Sequence, residues 1–240
     1  MQITPIAYFH SPLTSKFGIP RQGGLATSLS GQIIFEPAYR HAEAVRGIED
    51  FSHLWLIWEF SANRKTHEPI MDNGGESSIH QNLTVRPPRL GGNERVGVFA
   101  SRSPFRPNPL GLTCALIDRV EMHPQLGPVI HVLGADIMDG TPIYDIKPYV
   151  RYADCHPNAR SGFVDQKDWP RLEVVIPDKW ASIFSHEELK SLQEVLSFDP
   201  RPQYHHQPQR IYGMPFAGYD VKFNVSDGQV IVVGVQKPTS

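Results

Sequence analysis

Residues 54–60 read LWLIWEF. The run is too short for a helix and too rich in bulky apolar groups for a loop, so a strand buried on both faces fits it. Working outward, Ile3–Phe9 ends at Ser11-Pro12, and Gly31–Phe35 is a short apolar segment bounded by glycine and proline. Val96–Ala100, Leu110–Ile117 and Val129–Leu133 follow, at spacings of roughly 10 to 20 residues with Gly/Pro punctuation between them. Such a series suits a barrel or a sandwich. One short helix is expected at Ala38–Arg46, where Ala42, Ala44 and Val45 are good formers or apolar contacts.

The pattern changes twice. Around 64–82 the apolar periodicity disappears, which predicts a surface loop. From 151 to 171 the chain is polar and irregular and reads as a linker. Ser185-His-Glu-Glu188 is then a capping-box pattern opening a helix with Leu189, Leu192, Val195 and Leu196 on one face. That helix must end before Pro200. Val221–Val225 and Gln229–Val235, split by Asp227-Gly228, read as a hairpin. The division predicted is a mainly β domain over 1–150, a linker at 151–171 and a small C-terminal α+β domain over 172–240.

Composition narrows the class. The 240 residues are enough to bury a sizeable core. They hold 22 Pro and 19 Gly, which argues against an all-helical protein and for short strands on rigid loops. A net charge of −2 argues against a globally basic nucleic-acid coat, though not against a local basic patch. Cys114 and Cys155 follow no disulfide or zinc spacing, and no metal site is expected. No apolar run approaches the roughly 20 residues that span a bilayer, and the first residues lack the features of a secretory signal. A soluble, cytoplasmic protein is the expectation.

The chemistry concentrates at 86–111, RPPRLGGNERVGVFASRSPFRPNPLG. Arg86, Arg89, Arg95, Arg102 and Arg106 stand there against Glu94 alone, a local charge of +4. Arginine on stiff loops suits bidentate recognition of phosphate or carboxylate. Phe99 and Phe105 are interleaved, available either to stack on a base or to fill a core. A second segment, GADIMDGTPIYDIKPY at 134–149, sets Asp136, Asp139 and Asp145 among apolar residues. Turn chemistry accounts for Asp139-Gly140, but not for charges inside an apolar run, which are costly unless paired. GIPRQGG at 18–24 is a turn that would admit a close backbone approach. His53 reads as a strand-end histidine, and His205-His206 as part of a cationic loop. The fingerprints of a Rossmann dinucleotide site, a P-loop, a zincin and an α/β-hydrolase are all missing. The residues by themselves describe a proline-rich β protein with an arginine-lined site for an anionic ligand.

Four strings carry a resemblance beyond this. They are PRQ at 20–22, VRGIEDFSHLWL at 45–56, VRPPRLGGNERVGVFASRSPFRPNPLGL at 85–112 and DGTPIYDIKPY at 139–149. In this order they strongly resemble the TsaA-like family, whose full-length bacterial members are called TrmO or YaeB. DPRPQY at 199–204 extends the likeness weakly. The resemblance implies a single-sheet β-barrel methyltransferase using S-adenosylmethionine, acting on N6 of threonylcarbamoyladenosine at position 37 of threonine tRNA. It also implies a homodimer with the cofactor near the subunit contact. Carried onto this chain, the cofactor touches Gln22, Gly23 and Gly24, Ser61 and Ala62 at the strand end, Arg102, Leu112, and the turn Asp139, Gly140, Thr141 and Pro142. Arg102 would pair with the methionine carboxylate and Leu112 would line the adenine pocket. Arg86, Arg89, Arg95 and Arg106 would hold tRNA phosphate, with Arg201, His205, His206 and Arg210 extending that surface from the C-terminal domain. Deleting 172–240 is then expected to cost tRNA affinity more than cofactor affinity. Asp139 or Asp145 is the candidate base for the N6 proton. The chain departs from the family in having Ser61-Ala62 where members carry His after the strand, and in a longer 64–82 segment. A non-catalytic tRNA-binding or regulatory barrel, or a methyltransferase for another acceptor, would share these motifs.

Overall fold

Alternating burial along short strands builds the first unit. The structure is a computed structural model that describes residues 2–62, 83–87, 90, 94–166, 170–201 and 210–238. The strands are β1 (Ala7–His10), β2 (Ser30–Phe35), β3 (His53–Glu59), the two-residue β4 (Thr84–Val85) and β5 (Val96–Gly97), β6 (Leu110–His123), β7 (Gly127–Leu133) and β8 (Thr141–Pro148). Six of them close into an antiparallel barrel in the order β1-β2-β7-β6-β3-β8, while β4 and β5 form a separate ladder. A barrel this small is filled by its own side chains: Phe9, Ile33, Leu54, Leu56, Ile130 and Ile143 are fully buried in it. Between barrel and sandwich, the closed sheet decides for the barrel.

Three local expectations are corrected. LWLIWEF is not buried on both faces: Leu54, Leu56 and Trp58 point inward, and the alternate residues are half-covered outside. There the His53 and Trp55 rings lean on Tyr149, at 5.9 and 6.1 Å. The predicted helix at Ala38–Arg46 is replaced by three single 3-10 turns, Pro37–Tyr39, Ala42–Val45 and Ile48–Asp50. None of these turns has a side-chain cap, and they are too short to repay helix nucleation. Val96–Ala100 is a strand only at its first two residues and then turns. The loop expected at 64–82 lies outside the described residues.

The second unit follows helical turns at Arg151–Asp154 (α1) and Gly162–Gln166. It comprises β9 (Glu173–Val175), α2 (Asp178–Ala181), α3 (His186–Ser197), β10 (Tyr212–Phe216), β11 (Tyr219–Ser226) and β12 (Gln229–Gln236). The sheet order is β10-β11-β12-β9, with only β9 parallel to its neighbour. The capping box forms at α3: the Glu188 N–H donates to Ser185 Oγ at 3.2 Å, and the Ser185 N–H to Glu188 Oε2 at 2.9 Å. The hairpin turn has positive φ at both Asp227 (51°) and Gly228 (78°), matching the twist of the flanking strands.

The two cores are not separated at residue 150. Leu13, Ala26 and Leu29, from the segment between β1 and β2, are buried in the C-terminal core with Leu192, Met214, Phe216 and Phe223. Among the described residues, no helix is long and apolar enough to cross a membrane.

Candidate active site

The loop at 22–24 is seated on the barrel rim. Beyond Leu133, β7 parts from β6, and the loop fills the gap: the Gly24 N–H donates to Gly134 O at 2.8 Å, and the Gly134 N–H to Leu29 O at 2.9 Å. A Cβ on Gly23 would stand 2.9 Å from Thr113 Cγ2 and 3.3 Å from Asp136 Oδ1. Only glycine allows the backbone this close.

Under the loop a polar chain runs from buried Trp58 and Thr113 to half-buried Asp136. The Trp58 indole N–H donates to Thr113 Oγ1 at 3.0 Å, and the Thr113 hydroxyl donates to Asp136 Oδ1 at 2.6 Å. The indole itself rests against bare backbone, since a Cβ on Gly111 would come 2.2 Å from Trp58 Cε2. Burial pushes the Asp136 carboxyl above the usual carboxylate range, opposed by the Thr113 hydroxyl, the Arg102 charge and the Gly23 N–H. Asp136 appeared in the sequence only as one acid among apolar neighbours. The signal for its role was the charge between Ala135 and Ile137, which needs a partner in a buried run.

Arg102 comes over this rim on a loop tied by its own hydroxyls. The Ser103 N–H donates to Ser101 Oγ at 3.3 Å, the Phe105 N–H to Ser103 Oγ at 3.2 Å, and Arg106 Nη1 to Ser101 O at 3.1 Å. Arg102 Nη1 donates to Gln22 Oε1 at 2.5 Å. Two of the cofactor residues named by the resemblance, 80 positions apart, therefore meet directly. The Phe60 N–H donates to Pro109 O at 2.8 Å, which sets Ser61 and Ala62 beside the end of the same loop. Phe99 is 75% exposed and Phe105 54%, so neither fills a core.

The turn at 139–142 is held from the other side. The Asp139 N–H donates to Leu13 O and the Gly140 N–H to Phe9 O, at 2.9 and 2.8 Å. Asp139 Oδ1 accepts the Ser11 N–H at 3.1 Å and lies 3.4 Å from His10 Nδ1. Thr141 and Pro142 are buried, paired with Phe9 and Tyr8 in the β1–β8 ladder, so neither presents an exposed side chain to a ligand. Asp145 lies on the outer face of β8, the face that Leu112 shares. It pairs with Lys147 at 2.7 Å and sits opposite Ile57, which is itself opposite Leu112. Cross-strand partners share a face, and two strand spacings put Leu112 and Asp145 about 10 Å apart. Leu112 is 56% exposed, in line with the exposed Leu110 and Leu116 along the outer face of β6.

The remaining arginines divide. Arg86 and Arg95 are exposed, Arg95 donating to Thr84 Oγ1 at 3.0 Å. Arg89, His205 and His206 lie outside the described residues. Arg201 grips Asp199 with two nitrogens, at 2.8 and 2.9 Å, and its side chain is 15% exposed. Its guanidinium is thus committed within the protein. Arg210 lies over the Tyr212 ring at 5.4 Å. No group of three or more His, Cys, Asp or Glu suited to a metal occurs among the described residues.

Comparison with known proteins adds identity to this geometry. The family model of the tRNA-methyltransferase O N-terminal domain matches residues 8–155, and that of the TrmO C-terminal domain matches 171–238. The chain is 37% identical over 243 residues to the tRNA (adenine(37)-N6)-methyltransferase of Escherichia coli strain K12, covering 94% of each protein. It is 36% identical over 231 residues to a Pseudomonas aeruginosa protein named as a candidate S-adenosylmethionine-dependent methyltransferase, covering 92% of this chain and 91% of that one. The fold matches a crystal structure of TrmO from Pseudomonas aeruginosa with a TM-score of 0.74, at 28% identity and 98% coverage of both chains.

Proposed function

The chain belongs to the TrmO family of tRNA methyltransferases, and from that premise we propose that it uses S-adenosylmethionine to methylate N6 of adenine 37 in tRNA. The acceptor is threonylcarbamoyladenosine in a threonine tRNA. The observation that carries the site is the direct bond between Arg102 and Gln22 beside the half-buried Asp136.

The residues suit the cofactor end by end. Arg102, oriented by Gln22, offers its guanidinium to the methionine carboxylate. Gly24, with φ at +80° and nothing within 4 Å of a built Cβ, leaves backbone open to a ligand, and exposed Leu112 supplies an apolar surface for adenine. S-adenosylmethionine supplies a methyl group made electrophilic by its cationic sulfur. Asp139 takes the N6 proton, which the adjoining ureido carbonyl makes more acidic than in adenine; its Oδ1 is already anchored by the Ser11 N–H. Asp145 is the alternative base, but its carboxylate is engaged by Lys147. Positioning N6 against the methyl supplies much of the rate.

Arg86, Arg89, Arg95 and Arg106 bind tRNA phosphate, a salt-sensitive and sequence-blind contribution, and exposed Phe99 and Phe105 are placed to stack on unpaired bases. Arg210 adds to that surface. Arg201 contributes only if it leaves Asp199. The exposed Leu110, Leu112 and Leu116 row supports a homodimer, since a contiguous apolar stripe on a barrel exterior asks for a cover. Action on tRNA supports a cytoplasmic location.

Calorimetric titration of the protein with S-adenosylmethionine should give one site per chain, on a species whose sedimentation mass is that of two chains. No heat of binding would remove the cofactor reading; a single-chain mass would remove the dimer.

A further inference from the structure

The segment that carries Gln22, Gly23 and Gly24 is rooted in the other domain. Before the glycines, Phe17 stacks on Tyr212 and Phe223, with ring centroids 6.5 and 6.3 Å apart. Gly18, at φ +98°, lets the backbone pass Met214 so closely that a Cβ would stand 2.2 Å from its sulfur. Leu13 is fully buried in the same core, and the Ala217 N–H of the β10–β11 turn donates to Pro12 O at 2.9 Å. After the glycines, Ala26 and Leu29 are buried in that core too. Helix α3 then closes the loop with two side chains. Ser191 Oγ donates to Ser28 O at 2.7 Å, and Glu194 Oε2 accepts the Ser28 N–H at 2.8 Å.

The tip between these roots touches the barrel instead, through Gly134, Thr113, Asp136 and Arg102. A loop of this length, with two glycines at its tip, has many conformations to lose when it orders. The barrel contributes a few contacts at the tip, whereas the C-terminal domain fixes both ends. We propose that the C-terminal domain is a structural part of the cofactor site, with Glu194 and Phe17 as positioning residues that act through the 12–29 segment on Gln22 and Gly24. Cofactor affinity therefore depends on α3 and β10 through the segment they hold. This reverses the expectation that loss of 172–240 costs mainly tRNA affinity, because that loss would also expose Leu13, Ala26 and Leu29.

The inference rests on the assignment of S-adenosylmethionine to the 22–24 loop, and the test separates the two. In the full-length protein, Glu194→Ala removes the acceptor of the Ser28 N–H at a partly exposed position where the fold should persist, which a thermal melt followed by circular dichroism checks. Glu194→Gln keeps an acceptor oxygen there. Arg102→Ala serves as the control for the cofactor site. Losing a hydrogen bond to a charged acceptor corresponds to roughly tenfold or more in affinity. Glu194→Ala should raise the S-adenosylmethionine Kd about tenfold, measured calorimetrically on folded protein. KM for tRNA should stay within about twofold, and Glu194→Gln should recover most of the lost affinity. An unchanged Kd in Glu194→Ala, with Arg102→Ala weakened, overturns the coupling while leaving the site assignment intact. If both variants bind as the parent does, the site assignment fails and the inference falls with it.

Discussion

Arg102→Ala should raise the dissociation constant for S-adenosylmethionine by about 10- to 100-fold while leaving the barrel folded. The magnitude follows from the loss of charge-assisted hydrogen bonds worth roughly 1.5–3 kcal/mol. The fold should be spared because Arg102 is exposed and donates to Gln22 rather than to the core. At saturating cofactor the transfer rate should fall much less than the affinity, since Arg102 is assigned to the methionine end and away from the N6 atom. Arg102→Lys should recover only part of the affinity: an ammonium keeps the charge but not the planar fork that meets a carboxylate with two nitrogens. Calorimetry measures all three. An unchanged dissociation constant in Arg102→Ala would remove this residue from the cofactor site.

Asp139→Asn has the larger effect on chemistry. A well-placed general base contributes roughly 10²- to 10⁴-fold, and methyl transfer in single-turnover measurements should fall by that factor. Cofactor affinity should change by no more than about twofold. The separation is possible because the asparagine oxygen can still accept the Ser11 N–H, and the backbone bond from residue 139 to Leu13 O is untouched. The turn that shapes the site therefore survives the loss of the carboxylate. Asp145→Asn provides the contrast. It breaks an exposed pair with Lys147, a contact worth about 0–1 kcal/mol to stability, and should leave transfer nearly intact. Full activity in Asp139→Asn with loss in Asp145→Asn would move the base to β8.

Much of the fold was legible because it rests on local chemistry. The Ser185 capping box, the Asp227-Gly228 turn and the apolar strands each follow from neighbours in sequence, and each is present. The short strands could not by themselves choose between barrel and sandwich, since closure depends on pairing β3 with β8, from Trp58 with Ile143 to Leu54 with Pro148, far apart in sequence. The helix expected at Ala38–Arg46 failed for lack of length and caps between β2 and β3. Part of the candidate site was legible too. The string at 85–112 placed Arg102, and the short one at 20–22 placed Gln22, but only the fold brings the two together. Asp136 was visible without its meaning, which comes from Thr113 and Trp58 on other strands. The shared core was hidden more deeply. Leu13, Phe17, Ile19, Ala26 and Leu29 follow neither a helical nor a strand period, because they are held by a partner sheet some 200 residues on rather than by a regular element of their own.

The excess of proline also takes on a meaning. Pro104, Pro107 and Pro109 stiffen the loop that presents Arg102 and ends at the Phe60 contact, so part of the composition serves the site. The net charge of −2 conceals the basic stretch at 86–111, the patch proposed above to hold tRNA phosphate.

The most direct test is methyl transfer from labelled S-adenosylmethionine to matched threonine tRNAs with and without the threonylcarbamoyl group, followed by nucleoside mass spectrometry. One methyl group on N6 of the modified adenosine at position 37, and none on the unmodified tRNA, is the expected result. Cofactor binding without transfer to either tRNA, or transfer to a different nucleoside, would contradict it.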